Sequence, residues 1–220
     1  PGTTRKRRKT CSIGTSFPRC GNLEQDGSRF HSRTPLISVS LVLGSQLPTR
    51  SVDAFALSVV KMERQLRRLF TYLVFQSPAF TPEHVGELRA VLGASRRAYF
   101  DGFERGFNAL YRRPIEQLVG NEYALLRPVL EDAIAVRNKI FHGQLTDRCL
   151  QQEQLGELID RIRRWCYLLA RGATLELGYD GFERGSFRKG AAALNAVLRV
   201  QIGSTAEYRD FLRLHVERVR

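Results

Sequence analysis

The residues best equipped for chemistry lie together in Arg137-Asn138-Lys139-Ile140-Phe141-His142. An imidazole titrates near neutrality and can carry a proton to or from a ribose hydroxyl or a leaving oxygen. A guanidinium can hold a phosphate and stabilise the charge that grows on it as the transition state forms. An amide can orient the ribose, the phosphate or the imidazole. Arg137, Asn138 and His142 are therefore the candidate catalytic residues, and phosphodiester cleavage is the chemistry that suits them. The set calls for no metal and no cofactor, and no carboxylate cluster in the sequence reads as a metal site.

Such groups need an element to position them. Asn138 and His142 are four residues apart, so a helix stacks them on one edge, with Arg137 immediately beside Asn138. At about 100° per residue, Val129, Ala133, Val136 and Ile140 form an apolar stripe, widened by Ile134 and Phe141. Arg137 falls inside that arc. A guanidinium aimed toward a core must be paired or must face a cleft, because burying it alone is costly. A purely structural account competes. His142 could be a helix C-terminal histidine favoured by the dipole, and Arg137 could pair with Asp132, Glu131 or Glu63. His31, His84 and His215 have no comparable setting and read as surface residues.

The surrounding pattern is helical. Ser51 reads as a helix cap, and apolar residues recur at helical spacing to about Gln76, where Ser77-Pro78 stops the run. Thr81-Pro82-Glu83 starts a second helix that Gly93 ends. A third spans about Ser95 to Tyr111. The motif helix spans about Tyr123 to Phe141, started or interrupted by Pro128, with His142-Gly143 as its stop. A last strong helix spans about Leu150 to Arg171. Four or five amphipathic helices on short loops describe an all-α antiparallel bundle over 51–171. Glycines after Gly172 suggest turns or a small hairpin, and Ser204-Thr205-Ala206-Glu207 reads as a capping box before a C-terminal helix ending near Arg220. Residues 172–220 are expected to pack on the bundle. Asp101-Gly102-Phe103-Glu104-Arg105-Gly106 recurs unchanged at 180–185. A duplicated ligand loop, a coincidence, or a peptide that suits both helix and turn would each explain it.

Charge separates the first fifty residues from the rest. They hold nine Lys/Arg against two Asp/Glu, including the block Arg5-Lys6-Arg7-Arg8-Lys9, with no sustained apolar period. Such a segment is expected to be a disordered basic tail or a non-native extension. The remainder is mildly basic, which suits either an RNA partner or a solvated arginine-rich surface. Lys139, Arg161 and Arg164 are the expected RNA contacts, with Arg163 beside them. Cys11, Cys20, Cys149 and Cys166 form no CxxC pair and read as free thiols. No apolar run approaches the roughly 20 residues that span a bilayer, so a soluble cytoplasmic protein with no membrane partner is expected.

The motif Arg-Asn-Lys-Ile-Phe-His-Gly at 137–143 resembles the Arg-x4-6-His motif of the HEPN family, in which a polar residue such as Asn commonly follows the Arg. The resemblance also covers, loosely, a helix bundle over 51–171 with the motif late in a helix. It implies a metal-independent endoribonuclease of the toxin or antiviral-defence kind, with Arg137 and His142 catalytic and Asn138 supportive. It implies a homodimer whose two motifs line one cleft, and a possible antitoxin. Other members imply an alternative: a non-catalytic module that binds RNA or nucleotides, or that partners a nucleotidyltransferase. A third class, an all-α interaction protein with purely structural motif residues, predicts that His142→Ala mainly lowers stability.

Overall fold

The computed structural model describes residues 36–95, 97–144, 151–183, 185–191 and 193–217. These residues are all-α, with no named strand among them; two isolated bridges pair Ala98 with Glu217 and Tyr111 with Leu198. In chain order the helices are α1 (Ile37–Leu43), α2 (Arg50–Phe75), α3 (Val85–Ala94), α4 (Phe100–Leu110), α5 (Ile115–Val119), α6 (Tyr123–Phe141), α7 (Gln152–Leu177), α8 (Ala193–Ala196) and α9 (Thr205–Phe211). A 3-10 turn at Pro82–His84 leads into α3, and a π-turn at Leu212–Val216 follows α9. None of these helices is long and apolar enough to cross a membrane.

The long helix α2 is the centre of the bundle and packs against α1, α4, α6 and α7. Its first half is amphipathic. Its last turns, from Leu69 to Phe75, are buried all round, as expected of a helix segment enclosed by others. Buried polar residues of α2 and of the turn after it bind α7 and the chain that follows it. Gln65 donates to the carbonyls of Cys166 and Asp180 at 3.0 and 3.1 Å, Gln76 donates to that of Arg188 at 3.0 Å, and Ser77 donates to that of Ile202 at 2.6 Å. The donors of these side chains thus meet acceptors, although Gln65 Oε1 has no partner among the described residues, and Asp180, Arg188 and Ile202 are tied to this part of the chain. Because Gln65 meets Cys166 and Tyr72 meets Leu177, α2 and α7 advance together where they touch. The pair α4 and α6 is antiparallel: Tyr123 reaches Glu104, and Arg127 lies over Phe100.

Several expectations change. The tail does not extend to residue 50. Residues 1–35 lie outside the described residues, but α1 follows, and Leu36 and Val39 are buried against the core. Ser51 is not the cap of α2. It lies inside the helix, buried, and Thr49 donates to Asp53 Oδ2 at 2.7 Å in the first turn. Gly93 does not end α3, which runs to Ala94. Pro128 neither starts nor interrupts α6, which runs through it from Tyr123. The helix expected to stop at Arg171 continues to Leu177, because Gly172 is a point of close approach: a Cβ there would lie 2.1 Å from the Leu118 carbonyl oxygen of α5. After Leu177 the described residues form turns and not a hairpin. Ser204 does cap α9, accepting from Glu207 N–H at 3.1 Å, but the Glu207 carboxylate accepts from Gly203 N–H rather than from Ser204. Helical structure at the C-terminus ends at Val216, and 218–220 lie outside the described residues.

Candidate active site at the end of helix 6

The face that α6 turns to the core is set by Leu126, Leu130 and Ala133, all fully buried. Their spacing of four and then three residues continues, after four more, to Arg137. The stripe is therefore rotated from the one centred on Val129 and Val136, which are only half-buried. Arg137 occupies the next place on the buried side, where a core residue would otherwise stand. Its side chain is 15% exposed and its Nη2 donates to Glu63 Oε1 of α2. Of the three carboxylates left open by the sequence, Glu63 is the partner seen. Glu131 instead lies 2.9 Å from Arg127.

This ion pair is held in a partly dry setting. Burial pushes the Glu63 carboxyl above its ordinary range, and the positive charge and hydrogen bond of Arg137 oppose that shift. The guanidinium also lies 5.5 Å from the centre of the Phe141 ring, one turn on, and its buried Nε meets no acceptor among the described residues. Arg137 is thus fixed by a carboxylate and covered by an aromatic ring, with a donor to spare. Phe141 belongs to the site, although the sequence pattern placed it in the core stripe; it is 58% exposed. The signal that could have found it is its i,i+4 relation to Arg137.

Asn138 and His142 stand on the next edge of the helix, exposed to solvent. Neither side chain has a hydrogen-bond partner among the described residues. Their backbones end the helix: His142 N–H donates to the Asn138 carbonyl at 3.0 Å, Gly143 N–H to that of Ile140 at 3.1 Å, and Gln144 N–H to that of Lys139 at 2.9 Å. Gly143 has φ +62°, so this is a Schellman stop with glycine in the left-handed position. The expected His142-Gly143 stop holds, and it fixes where the imidazole leaves the helix.

The expected RNA contacts are dispersed. Lys139 is half-buried on α6, and Arg161 is exposed on α7. Arg164 is engaged elsewhere, its Nε lying 3.1 and 3.0 Å from the two carboxylate oxygens of Glu122, which this hydrogen bonding holds below the ordinary carboxylate range. Arg163 donates to Ser40 Oγ at 2.9 Å. Two cavities, of about 260 and 570 Å³, lie along α7, one beside α5 and the other beside residues 188–197; neither is lined by Arg137, Asn138 or His142. Cys166 is a buried free thiol whose pKa burial pushes far up, as expected of an inert core residue, while Cys11, Cys20 and Cys149 lie outside the described residues. No family model, curated protein or solved structure matches the chain.

Proposed function

We propose that this protein is a metal-independent endoribonuclease of the HEPN type, acting at the C-terminal end of α6. The observation that carries the reading is the division of labour there: a guanidinium fixed by Glu63, beside an exposed amide and imidazole whose side chains have no structural partner among the described residues. In the reaction, a ribose 2′-oxygen attacks the adjacent phosphorus and the bond from phosphorus to the 5′-oxygen breaks. The products are a 2′,3′-cyclic phosphate and a 5′-hydroxyl. His142 takes the 2′ proton, and the 5′-oxygen gains a proton from solvent or from a second imidazole. Arg137 neutralises charge on the non-bridging oxygens, and Asn138 orients the ribose. A homodimer would bring two such sets together, and an antitoxin fits the same reading, whereas a nucleotidyltransferase partner goes with the non-catalytic module.

A second reading has its own observation. Glu63 already occupies part of the Arg137 guanidinium, as in a module whose motif arginine joins two helices and whose surface binds RNA or nucleotides without cutting. Analysis of product ends separates the two. Incubation of RNA with the protein in EDTA should yield cyclic phosphates and 5′-hydroxyls by mass spectrometry, and a 2′-deoxy residue at the cut should abolish that cut. Binding without any cleavage across varied RNAs would sink the enzyme and favour the module.

A further inference from the structure

Several arginines of the bundle are already paired. Arg105, Arg127, Arg163 and Arg188 each face a carboxylate, at 2.9, 2.7, 3.4 and 3.3 Å. The arginines in the middle of α2 differ. Lys61, Arg64, Arg67 and Arg68 lie within two turns of that helix. At about 100° per residue, Arg64 and Arg67 flank Val60 on its outer face, and Glu63 borders that face one turn before Arg67. Arg64 and Arg67 are exposed, and neither has an ion-pair or ring partner among the described residues. Arg68 leans toward the turn after α7, donating to the Phe182 carbonyl at 2.7 Å.

These cations act on one another. The Lys61 ammonium is held below the usual lysine range first by burial and then by the charges of Arg64 and Arg68. Like charges three and four residues apart on a helix repel one another. Glu63, the acid within this stretch of α2, is paired with Arg137. The outer face of α2 therefore keeps a positive field that begins beside the guanidinium of the α6 site.

We propose that Arg64 and Arg67 bind the phosphate backbone of single-stranded RNA and lead it to the end of α6, an assignment that rests on the reading of α6 as an RNA-cleaving site. The surface expected on α7 is a weaker candidate, since Arg164 is committed to Glu122. Backbone neutralisation by exposed arginines releases counterions, and that release leaves a measurable salt dependence.

The test uses the full chain carrying His142→Ala, so that RNA stays intact, and a fluorescein-labelled oligouridylate followed by anisotropy from low to moderate salt. Each phosphate neutralised on a single strand contributes about 0.7 to the slope of log K against log salt. Adding Arg64→Ala and Arg67→Ala should lower that slope by about 1.4 and weaken binding at low salt by roughly tenfold or more. Replacing both with lysine should keep the slope, and Arg171→Ala on α7 should leave it unchanged. Thermal melts monitor folding. An unchanged slope in the double alanine variant overturns the proposal, as does a parent protein that binds no RNA, or one that binds anionic phosphatidylserine vesicles through these arginines but not RNA. Cleavage by the wild-type protein is measured separately. Cleavage with an unchanged slope removes the α2 track and leaves the α6 site, whereas a reduced slope without cleavage retains the track and removes the enzyme.

Discussion

Helix α6 carries two arginines that each reach a glutamate on another helix, and they are built for different ends. Near its start, Arg127 meets Glu104 of α4 at 2.7 Å, and Glu104 also accepts from the Tyr123 hydroxyl at 2.9 Å. Arg127 lies 2.9 Å from Glu131 and over the Phe100 ring. Burial, and then Glu104, push the Tyr123 phenol up to about 12, so it stays a donor at all ordinary pH values. Glu104 is buried, and its carboxylate is satisfied by two donors. Near the end of α6, Arg137 has one carboxylate, Glu63, which is 29% exposed, and an Nε without an acceptor. The first arginine has two carboxylates and shares Glu104 with Tyr123 in a network that joins helices, although its Nη1 too lacks a hydrogen-bond partner among the described residues. The second is left partly open, beside two exposed polar side chains. A helix of one period can therefore present a structural arginine and a chemical one, and what separates them is how many partners complete each.

The contrast can be broken by substitution. The largest effect expected is on cleavage: His142→Ala should lose about 10²- to 10⁴-fold in rate with stability unchanged within about 0.5 kcal/mol, since the side chain is exposed. Cleavage and thermal melts of one preparation read both. Glu104→Ala should do the reverse. It leaves a largely buried Arg127 with only the exposed Glu131, costs about 3 kcal/mol, and lowers Tm by about 10 °C, while folded molecules keep their activity. Gly143→Ala should cost about 1 kcal/mol, because it puts a Cβ at φ +62° in the helix stop. Glu63→Gln should shift stability at neutral pH by less than about 1 kcal/mol, because loss of the ion pair is offset by relief of a partly buried charge.

The last variant has a pH signature. The folded-state pKa of Glu63 is raised, so the protonated carboxyl favours folding at low pH, and that contribution is lost as pH rises through the folded value. Glutamine does not titrate. Denaturant melts should therefore show the stability difference moving in favour of Glu63→Gln as pH rises from the carboxylate range to neutrality. A difference that stays flat, or moves the other way, would mean that Arg137 outweighs burial and that the second pair is as closed as the first.

Much of this was legible in the sequence where local rules decide. The bounds of α6 and its glycine stop follow from periodicity and from Gly143. The inward direction of Arg137 follows from the same period, although the stripe it belongs to is Leu126-Leu130-Ala133. Its partner was legible only as one of three carboxylates, because a contact across 74 residues depends on how helices cross. Three short helices, α1, α5 and the four-residue α8, were missed for a related reason. α1 and α5 have seven and five residues, too few to show a period or to stand alone, and they exist through packing on α2 and α7. The repeated hexapeptide shows how far context decides. At 101–106 it is helix α4, and a Cβ on Gly102 would lie 2.0 Å from the Val216 carbonyl oxygen. At Asp180 it is a turn: the Asp180 carboxylate accepts from Phe182 and Glu183 N–H at 2.7 and 3.0 Å, and Gly181 has φ +81°. The same glycine position allows close approach in both copies, and in the second it also takes a left-handed backbone. No shared ligand loop follows from it.

The most direct test of the central claim is the rate of RNA cleavage in EDTA by wild-type protein, His142→Ala and Arg137→Ala, with all three shown to be folded by their melts. The account predicts cleavage by the wild type and its loss, by two orders of magnitude or more, in both variants. Equal cleavage by all three, or none by the wild type on varied RNAs, would contradict it.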